Sequence, residues 1–379
     1  MPDRTISARN LGFLIVLMSL NCTMISGFNN SGHNVWITMV ISLLVYLPLN
    51  LICCRVTSLN PGQGLFDMLP SYFGKAAGGI LSVIVVLFTL GICALVLCNF
   101  GEFILQIALN KTPVFITIGA MALTAAYLAN SGLENMGKFA FGIIIIVAAI
   151  VVLTIVLSLD LLDVQNILPI HDTDPWTVLK EGTYGGMIAF GESAMLLSFM
   201  GKLKRGDSPY KAYAIGIGVA FLLLIVVFLR NILVLGGELL QITTFPPYVI
   251  SRIIKLGTFF EHIESIISFN YTLFGITKVA ICIRTTVLGS AKVMRVQERD
   301  MKFLVLPLTL ITTALAAISF SGIEQILKFV EVYFYLALPI WVAIPTVLWI
   351  CSEVRHRRQK KRPPDAVFGP PPPDCVQTT

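Results

Sequence analysis

Apolar side chains in this chain neither alternate nor return every third or fourth position. They come in unbroken blocks of about 20, the length a helix needs to cross the hydrocarbon of a bilayer. Such blocks cover 11–30, 35–54, 77–100, 112–129, 139–158, 183–200, 212–236, 264–288, 303–320 and 332–351. Ten spans are expected, and none of the segments between them is long enough to fold alone. The longest are 159–182, 237–263 and the end of the chain from Ser352. The expected organisation is therefore a single all-α integral membrane domain over 1–351. The last stretch, RHRRQKKRPPDAVFGPPPPDCVQTT, is basic and then proline-rich, so 352–379 reads as a disordered tail. Arg4 and Arg9 ahead of the first block resemble a secretory signal, but nine more blocks follow, which makes an uncleaved first helix the better reading.

Composition agrees with a lipid environment. Of 379 residues, 56% are apolar and 13% charged, against about a quarter charged in soluble domains. The net charge of +6 is a topology signal. If the N-terminus lies inside, twenty Lys and Arg fall on inner segments, from Arg4, Arg9 and Arg55 to the tail. Only Lys111, Lys180, Arg252, Lys255 and Lys328 fall outside. That bias puts both termini in the cytoplasm and accounts for the basic balance through anionic lipid, with no nucleic acid needed. The eight cysteines carry no CxxC pair and no disulfide framework.

Three charged residues lie well within predicted spans, away from any loop: Glu192, Arg230 and Lys278. A charge at that depth is unfavourable by ~2.5–3.5 kcal/mol on insertion scales, so such groups face a bundle interior or a wet cavity. Arg230 is expected to pair with Glu238 or another acid near the outer surface as a structural tie. Around Glu192 the chain reads YGGMIAFGESAMLLSFM, and Gly185, Gly186 and Gly191 weaken the helix there. The first span is weakened in the same way by Asn21, Thr23, Ser26 and Gly27. These are the first spans of two five-helix halves, about 10–158 and 183–351. Interrupted segments in matching positions point to an inverted-repeat transporter fold with its site at the repeat interface. A half-helix starting at a break offers N–H groups to a carboxylate, and one ending there offers carbonyls to an ammonium, so the gap suits a zwitterion. The competing reading is that the glycines serve only close helix packing.

In the eighth span Glu264, Ser268, Tyr271, Gly275 and Lys278 are spaced 4, 3, 4 and 3 along one helix face. That stripe must point at protein or water, and it reads either as a pocket wall or as a hydrogen-bonded helix contact. Lys278 lies deep, where a fixed ammonium stands in for a coupling cation. Two outlying segments have plainer readings: 62–75 as a short interfacial helix, and TTFPPYVISRIIKLGTFFEHIE from Thr243 as an outer lid.

An ordered set of stretches resembles the spore germination permeases, the B subunits of nutrient germinant receptors, within the amino acid, polyamine and organocation superfamily. They are CNFGEFILQ (98–106), KTPVF (111–115), SGLENMGKFA (131–140), NILPI (166–170), AFGES (189–193), TTFPPYVISRIIKLGTFFEHIESI (243–266) and FGITKVAI (274–281). The resemblance implies a LeuT-like fold, ten helices in a 5+5 inverted repeat with helices 1 and 6 discontinuous. It also implies a small nutrient at the midplane, an amino acid by family, and a place in the inner membrane of a bacterial spore beside an A subunit and a C lipoprotein. Carried onto matching positions, the pocket would draw on Asn21, Thr23, Ser26 and Gly27, on Cys98 and Asn99, and on Phe190, Gly191 and Glu192. From later spans it would take Ser268, Tyr271, Thr272 and Phe274, and Tyr333 or Tyr335. Two departures bear on ligand identity: His262 replaces an arginine usual in the family, and Phe269, Asn270 or Tyr271 stands where a tryptophan is usual.

Enzyme motifs fail on inspection. GLENMGKF (132–139) has the spacing of a phosphate loop, but Phe139 replaces the magnesium-binding Ser or Thr and no buried strand precedes it. His33, His171, His262 and His356 lack metal spacing. The expected protein is a binding subunit that is not an enzyme and needs no cofactor or metal. Its rivals are a proton-coupled amino acid permease with Glu192 as the proton carrier, and a scaffold for the A subunit.

Overall fold

The structure is a computed structural model that describes residues 5–24, 28–107, 112–168, 174–254, 263–319 and 322–360. The helices are α1 (Ala8–Leu20), α2 (Val35–Leu59), α3 (Leu65–Phe73), α4 (Lys75–Ile107), α5 (Val114–Asn130), α6 (Leu133–Leu157), α7 (Pro175–Ala189) and α8 (Leu197–Met200). They continue as α9 (Pro209–Ile242), α10 (Pro246–Ile253), α11 (Ile263–Met294), α12 (Lys302–Ser319), α13 (Ile323–Ala337) and α14 (Ile344–Lys360). Among the described residues seven helices are long and apolar enough to cross a membrane: α2, α4, α6, α9, α11, α12 and the α13–α14 unit. α1 and α5 are shorter apolar helices, and α7–α8 is broken. Length alone thus accounts for seven of the ten expected spans.

Burial sorts the long helices. The most apolar window of α11 is 72% buried and that of α4 61%, whereas those of α6 and α12 are 22% buried. The first pair forms the centre of the bundle, packed against each other and against α5. The second pair carries exposed Ile145, Val152, Val156, Phe303, Leu306 and Leu310, apolar side chains that suit acyl chains on the perimeter.

Two close helix contacts set the geometry of the broken segments. A Cβ on Gly216 of α9 would lie 2.5 Å from Ile15 Cβ of α1, and one on Gly12 of α1 would lie 2.8 Å from the Ala212 carbonyl. Only glycine allows these two backbones to come so near. In α7, a Cβ on Gly186 would meet the Tyr46 ring at 2.8 Å and Ser42 at 2.9 Å, so α2 fits into a glycine groove.

The start of α1 is fastened at one end of the bundle. Ile6 N–H donates to the Lys202 carbonyl at 2.8 Å, and Lys204 N–H donates back to Ile6 at 2.9 Å. Ala8 N–H donates to Asp207 at 2.7 Å and Ser7 N–H to Glu134 at 3.2 Å, acidic groups suited to the positive end of the helix dipole. The chain leaving α8 is therefore tied to the chain entering α1. The ion pairs Arg55–Glu353, Lys292–Asp67, Lys202–Glu298 and Lys204–Glu134 lie at this same end.

The last span departs from expectation. It begins near Ile323 rather than 332, and α13 passes into α14 through a π-helical stretch, Leu338–Ala343. Pro339 has no N–H to donate, which loosens the ladder there.

Candidate functional site

α1 stops at Leu20, and Asn21–Met24 continues as a tighter 3₁₀ turn. Ser26 and Gly27, expected at the first break, lie outside the described residues, as do His171, His262, Lys111, Lys255 and most of the tail. The polar side chains at this break turn onto local backbone. Thr23 Oγ1 donates to the Leu20 carbonyl at 2.8 Å, and Asn21 Nδ2 lies 3.8 Å from Met24 Sδ. Neighbouring helices take up two freed carbonyls: Tyr271 Oη of α11 donates to Thr23 at 3.4 Å and Asn99 Nδ2 of α4 to Met24 at 3.5 Å.

α7 breaks at Phe190, whose φ of −126° is not helical, and Gly191–Leu196 runs on as a 3₁₀ turn into α8. Ser193 Oγ donates to the Phe190 carbonyl at 2.6 Å, and Tyr213 Oη donates to the Ser193 carbonyl at 3.0 Å. The packing reading of the glycines also has support here. A Cβ on Gly191 would sit 2.6 Å from Met187 Sδ and 2.9 Å from the Tyr46 ring.

Glu192, in this turn, is 2% exposed and Lys278 of α11 is 1% exposed. Lys278 Nζ lies 2.7 Å from Glu192 Oε2. Tyr333 Oη of α13 donates to Glu192 Oε1, and the Tyr333 ring stacks on Phe88 of α4 with centroids 5.8 Å apart. The α7–α8 turn, α11 and α13 thus meet at one carboxylate. Around its first break and across the core stand Cys22, Cys98, Asn99, Phe190, Tyr271 and Phe274, all buried. Breaking such a pair by removing one partner strands the other charge, which is unfavourable by ~3–5 kcal/mol.

Other expected site residues are placed elsewhere. Tyr335 is 63% exposed and hydrogen-bonded to Tyr184 at 2.6 Å, on the opposite side of α13 from Tyr333. Ser268 and Thr272 are half-buried, and their hydroxyls donate along α11 to the Glu264 and Ser268 carbonyls at 2.9 and 2.8 Å. Gly275 faces α5, where an added Cβ would meet Met121 Cε at 2.3 Å, so the stripe on α11 is in part a packing face. Arg230 makes no contact with Glu238, which is exposed. Its guanidinium instead donates to Thr154 Oγ1 at 2.9 Å and Asn231 Oδ1 at 2.7 Å. The Glu192–Lys278 contact is likewise not specified by the sequence. The only signal for it was that two opposite charges lay deep in predicted spans, where each needs a partner.

Comparisons with known proteins agree on family and fold. Residues 5–322 match the family model described as spore germination protein, and the chain belongs to that family. Spore germination protein KB of Bacillus subtilis (strain 168) is 23% identical over 95% of this chain and 98% of its own length. Spore germination protein YndE of the same organism is 21% identical over 86% of this chain and 88% of its own. Among solved structures, MhsT in complex with L-phenylalanine superposes with a TM-score of 0.62 at 12% identity, covering 92% of this chain and 96% of that one. Mhp1, a nucleobase-cation-symport-1 family transporter in a closed conformation with bromovinylhydantoin bound, gives 0.69 at 12% identity over 94% and 80%. The fold is the LeuT-like, all-α membrane fold with discontinuous helices at α1 and α7–α8.

Proposed function

We propose that this member of the spore germination family is the nutrient-sensing B-type subunit of a germinant receptor in the inner membrane of the spore. Its partners in this reading are an A subunit and a C lipoprotein. A small nutrient, an amino acid by its charge pattern, enters the gap between the two broken helices from outside. The observation that carries this reading is the buried Glu192–Lys278 pair with Tyr333 beside it, joining three segments at a helix break. The ammonium of an amino acid competes with Lys278 for Glu192, and its carboxylate competes with Glu192 for Lys278. One zwitterion therefore inserts into the pair without a net change in buried charge. Insertion separates the α7–α8 turn from α11 and α13, and a ligand that binds the separated arrangement better shifts the equilibrium toward it. Partner subunits would read that shift. In this reading the Lys278 ammonium takes the place of a coupling cation.

The test uses spores carrying Glu192→Gln, Lys278→Ala or the double variant Glu192→Gln/Lys278→Met. Membrane abundance is measured by immunoblot and germination by loss of optical density against L-alanine concentration. A dose–response curve moved at least tenfold in variants of normal abundance is expected. An unchanged curve in all three removes Glu192 and Lys278 from the site. Saturable, proton-driven accumulation of labelled L-alanine by this chain alone in proteoliposomes would favour a working permease instead of a sensor.

A further inference from the structure

A cavity of about 40 Å³, which shares Thr23, Tyr271 and Phe274 with the expected pocket, lies between α1, α6, α9 and α11, with Pro247 of α10 in its wall. Its lining is aliphatic and aromatic except for Thr23, Thr154, Arg230, Asn270 and Tyr271. Arg230 is 5% exposed, as is Asn270. A guanidinium keeps its charge in a protein and has five N–H donors. Two of Arg230's are used, by Thr154 and Asn231, and its Nε has no hydrogen-bond partner. The Asn270 Oδ1 acceptor has none either, and turning that amide over presents its Nδ2–H donors to the cavity in place of the oxygen. No carboxylate lies within ion-pair distance of Arg230 among the described residues.

A buried cation without an anion is the arrangement proteins most strongly avoid. Here it borders a space with room for a few small groups. We infer that this cavity is an anion subsite that takes the carboxylate of a small organic acid, held by the fork of Arg230 with the amide of Asn270 beside it. Arg binds carboxylates in a two-pronged geometry that a halide cannot use, and the aliphatic lining from Val147 and Val227 suits a short alkyl group on the acid. Because α10 closes one wall, the ligand would reach the cavity past that helix. The subsite goes beyond the reading above and holds whether or not a nutrient also inserts between Glu192 and Lys278.

The experiment uses the full chain in lipid nanodiscs, with sodium propionate, propionamide and sodium chloride as probes. Equilibrium binding of labelled propionate and thermal unfolding are the readouts. Propionate is expected to bind saturably and raise Tm, and propionamide, of the same shape without the charge, is not. Arg230→Gln should weaken propionate binding ~30-fold or more, and without ligand it should unfold at the same or a higher temperature than the parent. Asn270→Leu should weaken binding by a smaller factor, and it serves if Arg230→Gln does not accumulate. No saturable propionate binding to the parent chain overturns the subsite, and so does unchanged affinity in both variants. Chloride protecting as well as propionate does overturns the carboxylate assignment. Arg230→Gln unfolding at a lower temperature with propionate affinity unchanged makes Arg230 a structural tie only.

Discussion

Glu192 and Lys278 are each nearly inaccessible, and each is tolerable only because of the other. The energetics of such pairs are lopsided: removing one partner leaves a buried charge, whereas replacing both with neutral groups of similar size is often harmless. Lys278→Ala should therefore lower the unfolding temperature in detergent by an amount reflecting ~3–5 kcal/mol, while Glu192→Gln/Lys278→Met should restore most of it. Equal losses in the single and double variants, measured by temperature-scanned size-exclusion, would mean the pair contributes nothing as a pair. Residue scale is also where the sequence was partly legible. The need for deep charges to be sheltered was readable from Glu192 and Lys278 alone, but their contact was not, because 86 positions separate them and helix packing decides it. Tyr333 and Tyr335 differ by two positions, which on a helix is about 200° of rotation. Only one can face the core, and the sequence could not choose. The structure turns Tyr333 inward and leaves Tyr335 hydrogen-bonded to Tyr184 on the exposed side.

At the scale of elements, glycines explain why the two broken segments, α1 and α7–α8, sit where they do. Gly186 lets Tyr46 and Ser42 of α2 press against α7, and a side chain there has no room. Gly186→Val should overpack this contact and destabilise by ~1–3 kcal/mol. Gly119 of α5 has nothing within 4 Å of an added Cβ, so Gly119→Ala should stabilise by up to ~1 kcal/mol through helix propensity. Comparison of the two unfolding temperatures checks this, and a Gly186→Val protein as stable as the parent would refute the packing role. The broken segments were legible because glycine and small polar residues interrupt otherwise apolar runs. The early start of α13 was hidden: Glu324, Lys328 and Glu331 made its first turns look like a loop, whereas they form one exposed, ion-paired side of an amphipathic helix.

For the whole molecule, the two ends of the bundle differ in charge and in their ties. One end gathers the Ile6–Lys204 bridge and the pairs Arg55–Glu353, Lys292–Asp67 and Lys202–Glu298. It also holds the last turns of α14, with Arg355, Arg357 and Arg358. The other end gathers the Asn29–Asn34 turn, the 159–168 connection and α10, joined by Asp163 N–H to the Leu233 carbonyl at 2.9 Å and by His33 Nδ1 to the Asn166 carbonyl at 2.8 Å. Lysine and arginine are retained on the cytoplasmic side during insertion, so the first end should face the cytoplasm, and with it the start of α1 and the end of α14. A membrane-impermeant maleimide provides the check. Cysteine introduced at Val164, which is 74% exposed, should label in intact cells, whereas Arg205→Cys should label only after permeabilisation. The native cysteines in the described spans are buried or, in Cys351, lie near the basic end, so they add little outside signal. The reverse labelling pattern would invert the molecule. It would then place α10, and the cavity wall it forms, on the cytoplasmic side, which is incompatible with the proposed sensing of a nutrient from outside.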